Sequence, residues 1–149
     1  MATAKPTILV LNGPNLNRLG TREPEIYGTT TLKEIERLCR DAAPDRTVDF
    51  RQSNSERQLI EWIHEAIDGN VAGIIINPAA FSFTSLALLD ALKMFPRPIV
   101  EVHISNIFRR EGHYHRSYVS PVATGVIAGL GAFGYVAALR AVDAKLANR

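Results

Sequence analysis

The sequence lacks paired cysteines, long apolar runs and an excess of charge of one sign. Its one cysteine, Cys39, excludes an internal disulfide framework and any zinc or redox site built on paired cysteines. No stretch reaches the roughly 20 apolar residues that a bilayer-spanning helix needs. The N-terminal apolar run is too short for a secretion signal. Seventeen Lys and Arg against fifteen Asp and Glu leave a net charge of +2, which gives no reason to expect nucleic acid or membrane as the main partner.

The sequence does have the composition of an ordinary globular protein. Hydrophobic residues make up 46% and charged residues 21% of the chain, whereas disordered chains are poorer in apolar residues. A length of 149 residues suits one domain, so we expect a single domain over residues 1–149. Cys39 lies on the apolar stripe of a predicted helix and is expected to be buried. Because the chain has no second cysteine for a disulfide, we expect a cytoplasmic protein.

Short apolar segments alternate with amphipathic segments along the chain. Five segments predict buried strands: residues 7–11, 47–50, 73–76, 99–103 and 122–128. Four segments predict helices: residues 32–39, 55–69, 84–92 and 131–146. Ser55 followed by Gln58 predicts a capping box at the start of the second helix, and Gly69 predicts its end. The alternation predicts an α/β fold, a flavodoxin-like, doubly wound, five-stranded parallel sheet in three layers.

Polar side chains follow three of the predicted strands, where ligands bind in such a sheet. The first strand leads into a long polar loop, residues 12–28, which we call the first loop. A βα connection usually takes about 2–6 residues, so this length indicates a functional or disordered segment. The loop has no lysine and no glycine-rich phosphate motif, which argues against a phosphate-binding loop. It is also not rich in Ser and Thr, which argues against an FMN-binding flavodoxin. The polar residues at these strand ends include Asn15, Arg22 and Tyr27 in the first loop, Asn77, Glu101, His103 and Ser105.

Two pairs of these residues can do acid–base chemistry. A guanidinium favours the phenolate form of a tyrosine, because a charge about 4 Å away contributes about 4 kcal/mol at an effective dielectric near 20. Arg22 can therefore make Tyr27 a general base; the alternative, favoured by residue types alone, is a packed ring beside a solvated charge. Glu101 lies on the same strand face as His103 and can orient it as a general acid. The alternative, at even odds, is a core histidine with satisfied hydrogen bonds.

A metal site is not expected. His113 and His115 form an HxH pair, but no third ligand has suitable spacing, and zinc sites need three or four protein ligands.

Segments along nearly the whole chain, in order, resemble the type II 3-dehydroquinate dehydratase family. They read LVLNGPNLNRLGTREPEIYG, RQSNSERQLIEWIHEA, IINPAAF, IVEVHISNIF and SYVSPVATGVIAGLG. The resemblance implies a flavodoxin-like fold assembled as a homododecamer. It implies a hydro-lyase of the shikimate pathway or of quinate catabolism, which eliminates water in the anti sense from 3-dehydroquinate through an enolate. It also implies a small-molecule substrate, without a metal or an organic cofactor.

The resemblance implies a role for each matching residue. Tyr27 would remove the C2 proton of the substrate, with Arg22 favouring its phenolate form. Asn15 would hold a water that stabilises the enolate oxygen. His103, oriented by Glu101, would protonate the departing C1 hydroxyl. The substrate would be held by Asn77, by the backbone amides of Ile104 and Ser105, and by Asp90, which would reach into the site of a neighbouring subunit.

The sequence departs from the family pattern at substrate-positioning residues. Phe83 stands where the family usually has His, and Tyr114 where it usually has Arg, while Arg116 takes the place of a His. Ala79-Ala80 replaces a glycine-containing pair. A lost hydrogen bond to the ligand costs about 1–3 kcal/mol. Two alternatives therefore stay open: a paralogue acting on a different hydroxy-keto acid, and a non-catalytic binding protein, against which the retained acid–base residues argue.

Overall fold

The computed structural model describes residues 5–148, which contain one five-stranded parallel sheet. The strands lie in the order β2-β1-β3-β4-β5. This is the flavodoxin-like order, and it confirms the predicted fold class. The strands are β1 (Thr7–Asn12), β2 (Thr47–Gln52), β3 (Gly73–Asn77), β4 (Ile99–His103) and β5 (Gly125–Ala128). The predicted domain boundaries include residues 1–4 and 149, which lie outside the described part of the chain.

Helices cover both faces of the sheet. Alternate residues of β1 point to opposite faces, so that Ile8 and Val10 pack in one core while Leu9 and Leu11 pack in the other. The first core includes residues of α2 and α5, and the second includes residues of α3 and α4. The helices are α1 (Pro24–Tyr27), α2 (Leu32–Ala42), α3 (Glu56–Asp68), α4 (Leu86–Lys93) and α5 (Phe133–Ala147). Within residues 5–148, no helix has both the length and the apolar content to cross a membrane.

The helix starts show where local sequence signals succeed and where they fail. Thr31 and Glu34 form a complete capping box, in which each side chain accepts a hydrogen bond from the other residue's backbone N–H. At α3, Ser55 Oγ accepts from the Gln58 N–H, but the Ser55 N–H donates to Ser53 Oγ. The predicted Ser55–Gln58 box is therefore wrong in its second half, because a nearer hydroxyl takes the N–H.

The fifth strand is shorter than predicted. It begins at Gly125 rather than at residue 122, because Ser120–Val122 forms a one-turn 3₁₀ helix. Pro121 occupies an early position of that turn, where its missing N–H costs nothing. This turn brings Ser120 beside Glu101 of β4.

Candidate active site

A pocket lies at the carboxyl edge of the sheet, between the segments that follow β1, β3 and β4. This is the edge at which a doubly wound sheet binds ligands. Glu101 and Asp90 are not among its lining residues. The predicted catalytic and substrate-binding residues that do line the pocket are Asn15, Arg22, Tyr27, Asn77, His103, Ile104 and Ser105.

The first loop is held against the sheet by apolar anchors and by one close backbone approach. Leu16 and Leu19 are buried in the core. The Gly13 N–H donates to the Asn77 carbonyl at 2.8 Å, and a Cβ at Gly13 would lie 2.4 Å from the Pro78 carbonyl oxygen. Only glycine lets the loop pass this close to the end of β3. The contact places Asn15 at the mouth of the pocket.

Tyr27, half-buried at the end of α1, contacts two arginines in different ways. Its hydroxyl accepts a hydrogen bond of 3.0 Å from Arg110 Nη1. The Arg22 guanidinium lies over the ring face, with Cζ 4.6 Å from the centroid, and Arg22 Nε is 3.8 Å from a Glu23 carboxylate oxygen. The guanidinium that hydrogen-bonds the Tyr27 hydroxyl is thus that of Arg110, whereas Arg22, the predicted activator, lies over the ring.

His103 and Glu101 form a buried pair at the end of β4. His103 Nε2 is hydrogen-bonded to Glu101 Oε2, and Ser120 Oγ donates to Glu101 Oε1 at 2.6 Å. Burial by itself raises the pKa of the Glu101 carboxyl, but the hydrogen bonds from His103 and Ser120 outweigh it, and the pKa lies below its ordinary value. Glu101 is therefore an ionised acceptor at neutral pH, which makes Nε2 the protonated nitrogen of the imidazole.

The hydrogen bond between His103 and Glu101 determines which imidazole nitrogen can bond a ligand in the pocket. Because Glu101 takes Nε2, Nδ1 is the nitrogen left for a ligand, and no residue within the described range 5–148 is bonded to it. In the protonated ring both nitrogens are donors, so Nδ1 can give its proton away while the carboxylate holds the ring in place. The geometry suits general-acid chemistry.

Asn77 is fixed from below by a buried hydroxyl. Asn77 Nδ2 donates to the Tyr135 hydroxyl at 2.8 Å, and that hydroxyl donates to Asn12 Oδ1 at 2.7 Å. Asn77 Oδ1 accepts from the Ala79 N–H at 3.2 Å. Burial raises the pKa of Tyr135, so its hydroxyl stays protonated and can act as this relay. One Nδ2 hydrogen and one Oδ1 lone pair of Asn77 remain for a ligand. Sequence reasoning gave Tyr135 no role, although it lies in the GAFGY segment that resembles the family.

A family model described as "Dehydroquinase class II" matches residues 6–143. The chain belongs to this family.

Named relatives and a solved structure agree with the family. The chain is 60% identical over 135 residues to 3-dehydroquinate dehydratase 2 of Pseudomonas aeruginosa, covering 89% of this chain and 90% of that protein. It is 58% identical over 144 residues to 3-dehydroquinate dehydratase of Streptomyces avermitilis, covering 95% and 90%. The crystal structure of type II dehydroquinase from Propionibacterium acnes superposes with a TM-score of 0.91 at 46% identity, covering 96% of this chain and 99% of that chain.

Within this dehydroquinase pocket, two of the departures from the family pattern, Phe83 and Tyr114, lie side by side. Phe83 stacks on the His103 ring, with centroids 6.2 Å apart and planes 26° apart, and meets Tyr114 edge-on at 5.2 Å and 77°. We call Phe83 and Tyr114 the aromatic wall. The Arg110 guanidinium lies on the Tyr114 ring, 3.9 Å from its centroid. Arg116, which replaces a family His, is exposed and is not among the pocket-lining residues.

Other predicted residues lie apart from the pocket. Asp90 is on an exposed part of α4, 3.9 Å from Lys93 Nζ, so its service to a neighbouring subunit stays a prediction. His115 Nε2 bonds the Arg110 carbonyl at 2.6 Å, and His113 packs on Tyr114 with centroids 4.2 Å apart. No group of three or more His, Cys, Asp or Glu that could hold a metal occurs in the part of the chain that the structure describes. Cys39 is fully buried, as predicted.

Proposed function

We propose that this protein is a 3-dehydroquinate dehydratase, a hydro-lyase that converts 3-dehydroquinate into 3-dehydroshikimate and water. One observation carries the proposal: a tyrosine hydroxyl paired with a guanidinium and an imidazole paired with a buried carboxylate line one pocket. A base and an acid held in one pocket are what an elimination of water requires. Membership in the dehydroquinase family supplies the substrate class.

The reaction runs in two proton transfers. Tyr27, as the phenolate, takes the proton from C2, and the electrons of the C–H bond move toward the carbonyl to form an enolate. Asn15 holds a water that hydrogen-bonds the enolate oxygen. The enolate then collapses, the bond between C1 and its hydroxyl breaks, and protonated His103 gives its proton to the leaving oxygen. Arg22 and Arg110 stabilise the phenolate form of Tyr27 by their positive charge.

The remaining polar groups of the pocket hold the substrate. Asn77, fixed from below, bonds a hydroxyl or carbonyl of the ring, and the backbone amides of Ile104 and Ser105 receive the carboxylate. No step in this mechanism uses a metal or an organic cofactor. We further propose a homododecamer, in which exposed Asp90 completes the pocket of a neighbouring subunit.

A second candidate is a paralogue that performs the same elimination on a different hydroxy-keto acid. The aromatic wall favours it, because Phe83 presents an apolar edge where the family pattern has a hydrogen-bonding histidine. A substrate with a less polar ring would lose less binding free energy beside Phe83.

Turnover by the purified full chain tests both candidates. With 3-dehydroquinate, we expect formation of the conjugated enone product, followed by its ultraviolet absorbance. Tyr27→Phe and His103→Gln are expected to lower kcat by about 10²-fold or more while changing KM little, because each removes one proton-transfer group. The exposed Tyr118→Phe is the matched control and should keep wild-type rates. Wild-type protein that leaves 3-dehydroquinate unchanged would overturn the first candidate, and turnover of another hydroxy-keto acid would then establish the second.

A further inference from the structure

The Arg110 guanidinium lies over the ring face of Tyr114 at the edge of the pocket. In the described part of the chain, no carboxylate forms an ion pair with Arg110. Its charged group instead makes two contacts with aromatic residues: the hydrogen bond to the Tyr27 hydroxyl and the close approach to the Tyr114 ring face. The Tyr114 contact, at 3.9 Å, is shorter than the distance of 5.6 Å between the same guanidinium and the Tyr27 ring.

The backbone of Arg110 is fixed as well. Its N–H donates to the Ile107 carbonyl at 3.2 Å, and its carbonyl is bonded by His115 Nε2. The long side chain between this anchored backbone and the guanidinium has several rotatable bonds, so a second support is needed to keep it in one rotamer. The Tyr114 ring provides that support, because a guanidinium over an aromatic face is held by electrostatic attraction as well as by stacking.

The Tyr114 ring also contacts the rings of His113 and Phe83. Phe83 packs its ring against that of Tyr114 edge-on, an arrangement that aromatic pairs prefer, and it stacks on His103. A continuous series of contacts therefore runs from the acid, His103, through the aromatic wall to Arg110 and the base, Tyr27. The aromatic wall stands at positions where the family pattern has the polar residues His and Arg. Its rings contact His103 and Arg110 by stacking and by cation–π contact.

We propose that Tyr114 is a positioning residue, which holds the Arg110 guanidinium against the Tyr27 hydroxyl by cation–π contact, with Phe83 holding Tyr114 in place. The role rests on the proposed elimination, since it acts through the base of that reaction. Tyr114 works by its ring face, and its hydroxyl is not required. This distinguishes it from a residue that bonds the substrate directly.

Three variants separate the ring from the hydroxyl and from the arginine. Tyr114→Leu removes the ring, and we expect kcat to fall about tenfold, equivalent to about 1.4 kcal/mol, with KM changed less than threefold. Tyr114→Phe keeps the ring and should restore kcat to within about twofold of wild type. Tyr118→Leu makes the same change at an exposed tyrosine that is not among the pocket-lining residues, and should leave both constants unchanged.

A double-mutant cycle shows whether Tyr114 acts through Arg110. In an Arg110→Gln background, Tyr114→Leu should have little further effect on kcat, because the group that it positions is gone. Fully multiplicative effects of the two changes would overturn the proposal, as would a Tyr114→Phe variant as impaired as Tyr114→Leu. Thermal unfolding of each variant identifies any loss of folded protein, and rates are compared per folded molecule.

A crystal structure of Tyr114→Leu tests the same idea without any assay. We expect the Arg110 guanidinium to leave hydrogen-bond distance of the Tyr27 hydroxyl in that variant. An unchanged contact would overturn the positioning role even if the wild-type enzyme is fully active. Conversely, a displaced guanidinium supports the role even if the substrate proves to be a different hydroxy-keto acid, so the two proposals fail separately.

Discussion

Tyr135 of α5 and Asn77 of β3 share a hydrogen bond of 2.8 Å directly beneath the pocket, where both side chains are buried. The same hydroxyl donates to Asn12 of β1, so one phenol joins a helix to two neighbouring strands. Because Tyr135 takes the Nδ2 side of Asn77 and the Ala79 N–H takes the Oδ1 side, the amide cannot flip without losing both bonds. The orientation that a ligand meets is set from inside the protein.

Tyr135→Phe tests this relationship. Removing the hydroxyl leaves Asn77 Nδ2 and Asn12 Oδ1 without that partner in a buried site, which should lower the free energy of unfolding by about 1–3 kcal/mol. A loosened Asn77 should also raise KM several-fold while kcat falls less, since the proposed acid, His103, and the proposed base, Tyr27, are untouched. Urea unfolding and steady-state kinetics measure the two effects. Unchanged stability and KM would show that the network does not position Asn77.

Glu101→Gln tests the buried carboxylate that bonds His103, the proposed acid. The amide keeps the shape of the side chain but loses the charge that orients His103, so kcat should fall at least tenfold. At neutral pH, the free energy of unfolding should fall by about 1–3 kcal/mol because the hydrogen bonds to the charged form are lost.

The pH dependence of that stability has a definite sign. The pKa of Glu101 lies below its ordinary value in the folded protein, so the folded state binds fewer protons than the unfolded state. The stabilisation is complete above the unfolded pKa of about 4.3 and is lost as the pH falls through the folded pKa. The gap between wild type and Glu101→Gln in urea unfolding should therefore narrow below about pH 4. Asp41→Asn, at an exposed position, should show no such gap.

The fold could be predicted from sequence periodicity because the pattern of each strand and helix is contained in its own short segment. The strict alternation of buried strands and amphipathic helices leaves few ways to cover both faces of a parallel sheet. Errors arose where a competing local group intervened, as with Ser53 at the start of α3 or Pro121 before β5.

Site residues were predictable to the extent that they follow strands directly. Asn77 and His103 stand at strand ends, and their place at the pocket follows from the topology. The contacts of Arg110 and Tyr135 join residues 83 and 58 positions apart in the chain, and no spacing rule relates them. They depend on how the first loop and α5 pack across the sheet, which only coordinates show.

Gly13→Ala tests the close approach that fixes the first loop. The added Cβ would lie 2.4 Å from the Pro78 carbonyl oxygen and 2.8 Å from its carbon, so the backbone segments after β1 and β3 must separate. We expect a loss of about 1–3 kcal/mol in the free energy of unfolding and a larger KM, because Asn15 moves with the loop. Gly125→Ala is the matched control, since a Cβ there meets nothing within 4 Å. Equal stability of the two variants would contradict the argument.

Ala79→Gly tests the cost of the left-handed backbone at Ala79. Ala79 has a φ of 51°, in the left-handed region that costs a residue with a Cβ about 1–2 kcal/mol. Glycine removes that cost but loses about 0.5–1 kcal/mol in chain entropy, so the variant should be more stable by up to about 1.5 kcal/mol. Ala141→Gly, at an exposed position inside α5, should instead lose about 1 kcal/mol. If Ala→Gly stabilises the protein at position 79 and destabilises it at position 141, backbone conformation decides the effect at Ala79. If Ala79→Gly also destabilises the protein, side-chain packing decides it instead.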